Sequence, residues 1–379
     1  MTDYHPEQII VDRAVFEENF TQKVLSKLSN VPYQIVDSYV WHKDEAGLDP
    51  KKNDLTLGKK TLHLKHFAGM PIKLCPGSTE EAVCCNYFTI DFIENCPLEC
   101  SYCILQAFLN KPVITVHANI SEILNQVRER VEQQPRRLFR IGTGEHSDSL
   151  AMDPLLEINT QVVPFFGALK NAVLELKTKS VHIDHLLNLP HQGNTVISWS
   201  LNPKYIVEHE EHKTARLHER LSAAQKVIEA GYKVAFHFDP MIYYPDWEAG
   251  YTELVDLLMD SIPPEKIAWI SLGTLRYIPR LKTVVEERFP KSKIFLGEFI
   301  RGEDGKMRYM KKIRQRMFQA VRQRIHKRAP HVTTYLCMEK EPVWKQTMSN
   351  PPGTDLELDR YISHQYQQQF YSACSTTTE

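Results

Sequence analysis

Hydrophobic and polar positions follow two alternating patterns along most of the chain. From residue 86 onward, short runs rich in β-branched and aromatic residues alternate with longer stretches whose apolar residues recur every three or four positions. The first pattern predicts buried strands and the second predicts amphipathic helices. The predicted strands are Tyr87–Phe92, Leu138–Ile141, Val173–Lys177, Thr195–Leu201, Lys233–Phe238, Ile267–Leu272 and Lys293–Leu296. The predicted helices are Arg13–Leu28, Ser121–Gln134, Asp153–Lys170, Leu217–Ala230, Tyr251–Ser261 and Leu281–Phe289.

Regular alternation of strands and helices predicts an α/β fold with a parallel sheet. Six consecutive units favour a partial (β/α)6 barrel of the TIM type, and a doubly wound open sheet is the alternative. We expect an α+β extension over residues 1–85, the barrel over 86–300, and a basic hairpin, helix and tail over 301–379. In a barrel, functional residues collect at the C-terminal ends of the strands.

Composition adds limits on the class of protein. The 379 residues are 42% hydrophobic and 25% charged, as in ordinary globular proteins. The 46 basic and 47 acidic residues exclude a protein that is basic throughout, but not a local basic surface. No apolar run approaches the roughly 18 residues of a membrane span. The N-terminal segment has neither a basic nor an apolar signal region, so we expect a cytoplasmic protein without membrane contact.

Three of the eight cysteines form one short motif directly after the first strand of the barrel. Cys96, Cys100 and Cys103 have the spacing C-x3-C-x2-C. Three thiolates on one loop can hold three irons of a [4Fe–4S] cluster and leave the fourth iron open for a ligand. Zinc is the alternative, although a zinc site commonly has four ligands supplied as two separated pairs.

The cysteine motif is typical of the radical S-adenosylmethionine superfamily, and the chain resembles the spore photoproduct lyase family over roughly residues 86–340. The segment from Cys100 to Gln106 is similar to a segment of those enzymes. Further similar segments follow in the same order: Ser147-Asp148, Leu176-Lys177-Thr178-Lys179, Asp184-His185-Leu186-Leu187, Ser200-Leu201-Asn202, Ala230-Gly231-Tyr232, Trp247-Glu248-Ala249-Gly250-Tyr251 and Arg308-Tyr309.

The resemblance implies a [4Fe–4S] cluster on Cys96, Cys100 and Cys103 that binds S-adenosylmethionine at its open iron. The reduced cluster would cleave S-adenosylmethionine to methionine and a 5′-deoxyadenosyl radical, which abstracts a hydrogen atom from the substrate. It also implies a reducing partner such as flavodoxin or ferredoxin. The implied S-adenosylmethionine contacts are Gly144, Ser147, Lys179, Ser200 and Asn202.

Each of these contacts has a simpler alternative. The alternative for Lys179 is an ordinary surface lysine. Ser200 and Asn202 are also residue types that cap strand ends. Gly142 and Gly144 suit a tight turn.

Two positions depart from the family pattern. In spore photoproduct lyases, a cysteine after the second strand returns a hydrogen atom to the product radical, and Glu145 stands at that position here. A carboxylate is a poor hydrogen-atom donor, whereas a thiol has a weak S–H bond. Ile104 replaces a family tyrosine, while Tyr102 retains the other one. Tyr102 and Glu145 are therefore the candidate catalytic residues.

Four further cysteines lie outside the motif: Cys75, Cys84, Cys85 and Cys337. They could hold a second cluster or a zinc ion, they could be buried small hydrophobic residues, or one could supply the missing hydrogen atom. The eighth, Cys374, lies in a polar tail and is expected to have no role.

A basic segment lies near the C-terminus. Residues 306–328 contain ten Lys or Arg and no Asp or Glu, which leaves a net charge of −11 for the rest of the chain. An apolar stripe at helical spacing predicts an amphipathic helix with one basic face, suited to phosphate contact. The resemblance places Arg308 and Tyr309 on a hairpin near damaged DNA. The candidate nucleic-acid contacts are Arg308, Tyr309, Lys311, Lys312 and Arg314. The alternative is a helix whose cations pair with acidic residues elsewhere.

The sequence therefore predicts a radical S-adenosylmethionine enzyme of the spore photoproduct lyase type. Its expected substrate is a pyrimidine lesion or modified base in nucleic acid, and the reaction would be carbon–carbon lysis in DNA repair. One alternative is a radical enzyme with a substrate other than DNA. The other is a non-catalytic iron–sulfur or zinc protein that binds nucleic acid.

Overall fold

The structure is a computed structural model that describes residues 4–40, 54–77, 82–109 and 111–371. Cys374 lies outside the described residues. The strands are β1 (Gln8–Asp12), β2 (Tyr33–Val36), β3 (Thr61–Lys65), β4 (Ile72–Leu74), β5 (Phe88–Ile90), β6 (Ile93–Glu94), β7 (Glu99–Cys100), β8 (Ile114–His117), β9 (Phe139–Gly142), β10 (Ala172–Thr178), β11 (Thr195–Ser200), β12 (Glu211–His212), β13 (Lys233–Met241), β14 (Ile267–Thr274), β15 (Arg276–Tyr277), β16 (Phe299–Arg301), β17 (Met307–Tyr309) and β18 (Thr334–Leu336).

The helices flank these strands. They are α1 (Asn19–Lys27), α2 (Asp54–Gly58), α3 (Leu105–Phe108), α4 (Ile120–Glu132), α5 (Asp153–Leu156), α6 (Asn159–Gly167), α7 (Lys204–Glu210), α8 (Leu217–Glu229), α9 (Trp247–Ser261), α10 (Pro279–Arg288), α11 (Lys311–Arg328), α12 (Glu341–Thr347) and α13 (Asp355–Phe370).

The central sheet has the strand order β18-β14-β13-β11-β10-β9-β5-β4. From β5 to β18 all neighbouring strands are parallel, and their order in space follows their order in the chain. A doubly wound sheet reverses its order at a switch point, so the arrangement is that of a partial barrel. Every residue of β11 is buried, as expected for a strand covered on both faces.

One predicted strand is wrong. Residues 293–296 lie in an irregular segment after α10, and β18 takes the last parallel position instead. Ile294 and Phe295 are buried there without any strand pairing, and the Phe295 ring packs against Tyr277 with a centroid distance of 4.5 Å. The side chains of this short apolar run are therefore buried by packing and not by strand pairing. The other six predicted strands are confirmed, with ends shifted by up to three residues.

Two predicted helices are divided. The predicted helix Asp153–Lys170 is α5 followed by α6, because Glu157 adopts a left-handed conformation with a φ of 51° that ends α5. The predicted helix Arg13–Leu28 is a short 3-10 turn followed by α1. The remaining predicted helices form α4, α8, α9 and α10, and the apolar face of α4 is buried as its periodicity predicts.

A second sheet lies beside the barrel, with the order β2-β1-β3-β8-β6. It joins strands from both sides of residue 85, so the N-terminal segment and the start of the barrel share a sheet. The division of the chain at residues 85 and 300 stays a prediction. No helix among the described residues is both long enough and apolar enough to cross a membrane.

Candidate active site

The three-cysteine motif lies on a loop that starts at the end of β6, here called the cluster loop (residues 95–104). Asn95 opens it with a φ of 73°, and its side-chain oxygen accepts a hydrogen bond from the Cys96 backbone N–H at 2.8 Å. The Gln106 amide donates to the carbonyls of Cys100 and Ser101 at 3.0 and 2.8 Å. Cys100 also pairs with Glu211 in the small β7–β12 sheet. Local hydrogen bonds and a distant strand together hold the loop in place.

The sulfur atoms of the cluster loop suit a cluster better than a single ion. Cys96, Cys100 and Cys103 are free thiols that influence one another electrostatically. Among the described residues, no three His, Cys, Asp or Glu side chains converge closely enough to ligate one ion. Zinc requires such convergence, whereas each thiolate of a [4Fe–4S] cluster binds a different iron. The donor set therefore fits the predicted cluster.

Burial keeps the thiols of Cys96 and Cys100 protonated in the protein without metal. It raises the pKa of Cys96 to about 12, and the negative charge of Asp148 acts in the same direction. Burial also raises the pKa of Cys100 well above its usual value, although the ammonium of Lys179 opposes this. A bound metal reverses the effect because it deprotonates a coordinating thiol. Cluster binding at this loop therefore releases protons.

A buried hydrogen-bond network connects the cluster loop to the end of β11. The Tyr102 hydroxyl donates to Glu211, which also accepts from the Asn202 amide at 3.0 Å. Arg220 donates to the Glu211 carboxylate at 2.6 Å and to the Ser200 carbonyl at 2.8 Å. The side chains of Arg220 and Glu211 are completely buried. The structure thus brings Tyr102, Ser200 and Asn202 together around an ion pair that the sequence analysis missed.

Glu211 makes the stability of the fold depend on acid pH. Burial acts to raise the pKa of Glu211, but the charges of Arg220 and Lys179 outweigh it and hold the pKa at about 2. An unfolded glutamate titrates near pH 4.3, so Glu211 contributes about 3 kcal/mol at neutral pH. That contribution should be lost as the pH falls from about 5 to 2.

Urea titrations across that pH range should therefore show a falling free energy of unfolding. Glu175, whose pKa is also about 2, acts in the same direction. The Glu211→Gln variant isolates the Glu211 contribution, because its stability should fall less steeply with acid. Equal pH dependence of the variant and the parent would contradict this assignment.

The candidate S-adenosylmethionine contacts lie around the same loop. The Lys179 ammonium is 5.8 Å from the centre of the Tyr102 ring, and its charge reaches Cys100 and Glu211. The buried Ser147 hydroxyl has no hydrogen-bond partner within the described part of the chain. A buried polar atom normally has a partner, so this hydroxyl is suited to a ligand that lies beside the loop.

The glycines of the predicted turn have a steric role. A Cβ atom on Gly142 would lie 1.6 Å from the Tyr87 hydroxyl, and one on Gly144 would lie 2.8 Å from the Lys177 side chain. Close packing therefore requires glycine at both positions. Contact between Gly144 and a cofactor stays a prediction.

A cavity of about 440 Å³ opens at the C-terminal ends of the barrel strands and is here called the central cavity. Tyr102, Cys103 and Ile104 line one side of it. Three acid–base pairs also line the cavity, namely Glu145–Lys177 at 2.7 Å, Glu175–His237 at 2.6 Å and Asp239–Arg276 at 3.1 Å. The sequence analysis identified only Glu145 among these six residues.

Glu145 forms an ion pair with Lys177 at the cavity wall, with the Lys177 ammonium 2.7 Å from its carboxylate oxygen. Burial alone would lower the pKa of Lys177, but the Glu145 carboxylate outweighs burial and raises it. Lys177 is therefore positively charged, and Glu145 accepts its hydrogen bond. A carboxyl group that accepts this hydrogen bond is a poor hydrogen-atom donor.

The four remaining described cysteines also line the central cavity: Cys75, Cys84, Cys85 and Cys337. They do not converge as ligands of one ion within the described residues. Their position in the cavity wall distinguishes them from ordinary core residues.

The basic segment forms β17 and α11. Arg308 is buried and donates to Asp304, while Arg314 donates to Glu339 at 2.8 Å. The Tyr309 ring is buried and stacks on Phe299 with a centroid distance of 4.7 Å.

Three further arginines of α11 pair with acidic residues of α9: Arg316 with Glu248, Arg324 with Asp256, and Arg328 with Asp256 and Asp260. Lys311 and Lys312 are exposed.

Comparison with known proteins places these features in a family. A curated spore photoproduct lyase from Geobacillus sp. (strain Y412MC61) is 32% identical over 214 residues, which are 56% of this chain and 63% of that protein. The match thus spans less than two thirds of this relative's length. A solved spore photoproduct lyase mutant has a TM-score of 0.78 at 25% identity, covering 88% of this chain and 100% of that one. This likeness confirms the predicted partial barrel.

A second solved structure is a spore photoproduct lyase double mutant with bound AdoMet and dinucleoside spore photoproduct. It has a TM-score of 0.77 at 24% identity, covering 89% of this chain and 100% of that one. The family model described as spore photoproduct lyase matches residues 5–336. Because this match covers most of the sequence, the chain belongs to the spore photoproduct lyase family.

Proposed function

We propose that the chain is a radical S-adenosylmethionine enzyme that acts as a carbon–carbon lyase on a pyrimidine lesion in DNA. The observation that carries the proposal is the position of the cluster loop, which forms one wall of the central cavity. Family membership supports the same chemistry, and a related protein contains AdoMet and dinucleoside spore photoproduct together.

Cys96, Cys100 and Cys103 would hold the cluster through their thiolates. When reduced, the cluster supplies the electron that cleaves S-adenosylmethionine and generates a 5′-deoxyadenosyl radical. Lys179 provides a positive charge beside the loop, suited to a carboxylate. The unpartnered Ser147 hydroxyl provides a hydrogen bond. The Tyr102–Glu211–Arg220 network fixes the position of the loop that would hold the cluster at the cavity wall.

The central cavity suits a polar substrate of moderate size. Its volume of about 440 Å³ lies in the range of roughly 300–1,000 Å³ found for small-molecule sites. Asp239 and Arg276 together present a hydrogen-bond acceptor and donors at its wall. A pyrimidine imide edge carries the complementary N–H and carbonyl groups.

Two partners belong to this proposal. A one-electron donor such as flavodoxin or ferredoxin would reduce the cluster. DNA phosphates would contact the exposed Lys311 and Lys312, because many of the arginines around them pair with acidic side chains. A cytoplasmic location also stays part of the proposal.

Anaerobic reconstitution tests the proposal directly. The protein should bind about four irons per chain and release 5′-deoxyadenosine when a reductant and S-adenosylmethionine are added. With dinucleoside spore photoproduct present, repaired thymine should form. Release of 5′-deoxyadenosine without repaired thymine would remove the lesion as substrate and leave the radical chemistry in place.

A radical enzyme with a substrate other than DNA is the second candidate. It is favoured by the pairing of α11 arginines with acidic residues of α9, which reduces the positive potential of that surface. Duplex DNA binding distinguishes the two candidates. If several phosphates are contacted, affinity should fall steeply as salt rises. Binding that barely changes with salt would support the second candidate.

A further inference from the structure

Hydrogen abstraction leaves a carbon radical on the substrate, and some group must return a hydrogen atom to it. Glu145 stands where relatives are expected to carry a donor thiol, but its carboxyl group accepts a hydrogen bond from Lys177 and is a poor hydrogen-atom donor. A thiol is the protein group best suited to this step because its S–H bond is weak. The central cavity contains four thiols outside the cluster loop.

The four thiols differ in their surroundings. Cys337 donates its S–H to Asp239 and accepts from Arg276 at 3.4 Å, so both functions of its sulfur are used. Cys85 packs against the hydrophobic core, and the charge of the buried Arg140 acts on its sulfur. Cys84 is almost fully buried.

Cys75 has the position and the state that a donor requires. Its sulfur accepts the Gly77 N–H at 3.4 Å, an interaction that does not use its own hydrogen. Cys75 lines the same cavity as Glu145, which replaces the family thiol, and the charges of Glu145 and Lys177 both act on its sulfur. Burial, assisted by the charge of Glu145, raises the pKa of Cys75. The thiol therefore keeps its hydrogen at neutral pH, unlike a nucleophilic or redox cysteine whose pKa is lowered.

We propose that Cys75 is the hydrogen-atom donor that quenches the substrate radical in this chain. The proposal rests on the proposed function and adds its final step. The substrate carbon radical takes the hydrogen atom from Cys75 Sγ, so that a C–H bond forms, the S–H bond breaks and a thiyl radical remains. One electron from a flavodoxin- or ferredoxin-type donor and one proton from water then restore the thiol.

Reaction in deuterium oxide tests the origin of the hydrogen atom. The thiol hydrogen exchanges with solvent, whereas hydrogens on carbon do not. The reconstituted enzyme should therefore produce repaired thymine that carries one deuterium atom, detected by mass spectrometry. Thymine without deuterium, formed by an enzyme that cleaves S-adenosylmethionine normally, would overturn the proposal.

The Cys75→Ser variant tests the residue, since a hydroxyl has nearly the same shape but a much stronger bond to hydrogen. It should release 5′-deoxyadenosine as before, while repaired thymine falls by at least about tenfold. The control is Cys374→Ser, which changes a thiol in the polar C-terminal tail and should retain repair with deuterium incorporation. Cys337→Ser and Cys85→Ser test the competing thiols of the cavity. Wild-type repair by Cys75→Ser, or loss of repair only in Cys337→Ser, would contradict the proposal. Absence of 5′-deoxyadenosine from the parent enzyme would instead contradict the proposed function.

A binding measurement does not depend on turnover or on the folding of a variant. In the reconstituted, unreduced protein, dinucleoside spore photoproduct should slow the alkylation of Cys75 by N-ethylmaleimide. Peptide mass mapping measures the extent of alkylation at Cys75 over time. Alkylation of Cys75 at the same rate with and without the photoproduct would place the thiol outside the substrate site.

Discussion

Replacing Cys100 by alanine should abolish S-adenosylmethionine cleavage. Cys100 is the middle member of the motif, it is buried at the end of β7, and its backbone pairs with Glu211. Loss of groups that only support metal ligands commonly reduces metal affinity or activity by about 10–100-fold. Loss of a direct ligand should therefore reduce 5′-deoxyadenosine release by more than about 100-fold. Iron content should fall with it, as measured by iron analysis after anaerobic reconstitution.

Two variants make this result interpretable. Cys374→Ala removes a thiol outside the motif and should leave both iron content and cleavage unchanged. Cys103→Ala removes a half-buried ligand, so its effect on packing should be smaller while the loss of cleavage remains. If Cys100→Ala retained iron and still cleaved S-adenosylmethionine, a cluster on these three cysteines would be excluded.

Replacing Glu211 by alanine should destabilise the fold by about 3–5 kcal/mol, because it leaves the Arg220 guanidinium buried without its counter-ion. Both side chains are completely buried, and the pair links the cluster loop to α8 through Tyr102. Urea unfolding measures this loss. The Glu211→Ala variant should also bind iron less tightly, since the Tyr102 hydroxyl and the Asn202 amide lose their shared acceptor.

The matched control is Glu208→Ala, which breaks the exposed Lys204–Glu208 pair on α7. Exposed pairs contribute about 0–1 kcal/mol, so this variant should be nearly neutral. The double variant Glu211→Leu with Arg220→Met should recover part of the loss, because replacing both charges removes the unpaired one. A loss below about 1 kcal/mol for Glu211→Ala would show that water or another group compensates Arg220.

The elements that the sequence predicted well depend on short-range patterns. Six barrel strands and the covering helices were predicted from the spacing of apolar residues, which lies within each segment and needs no information from the rest of the chain. The irregular segment at residues 293–296 has the same local signal as a strand. This segment does not pair with β14, because β18, some forty residues later in the chain, occupies that edge of the sheet.

By itself, the sequence determined the barrel class, the family resemblance and the cluster loop. All three cluster cysteines lie within one loop, so their proximity needs no tertiary contact. Only the tertiary structure decided which polar side chains meet. The partners lie on different parts of the chain in the pairs Glu145–Lys177, Glu211–Tyr102 and Arg324–Asp256. The same holds for Cys75 and Cys337, which are far apart in the chain but line one cavity. Curvature of the parallel sheet brings the strand ends together, and curvature is a property of the whole sheet rather than of any segment.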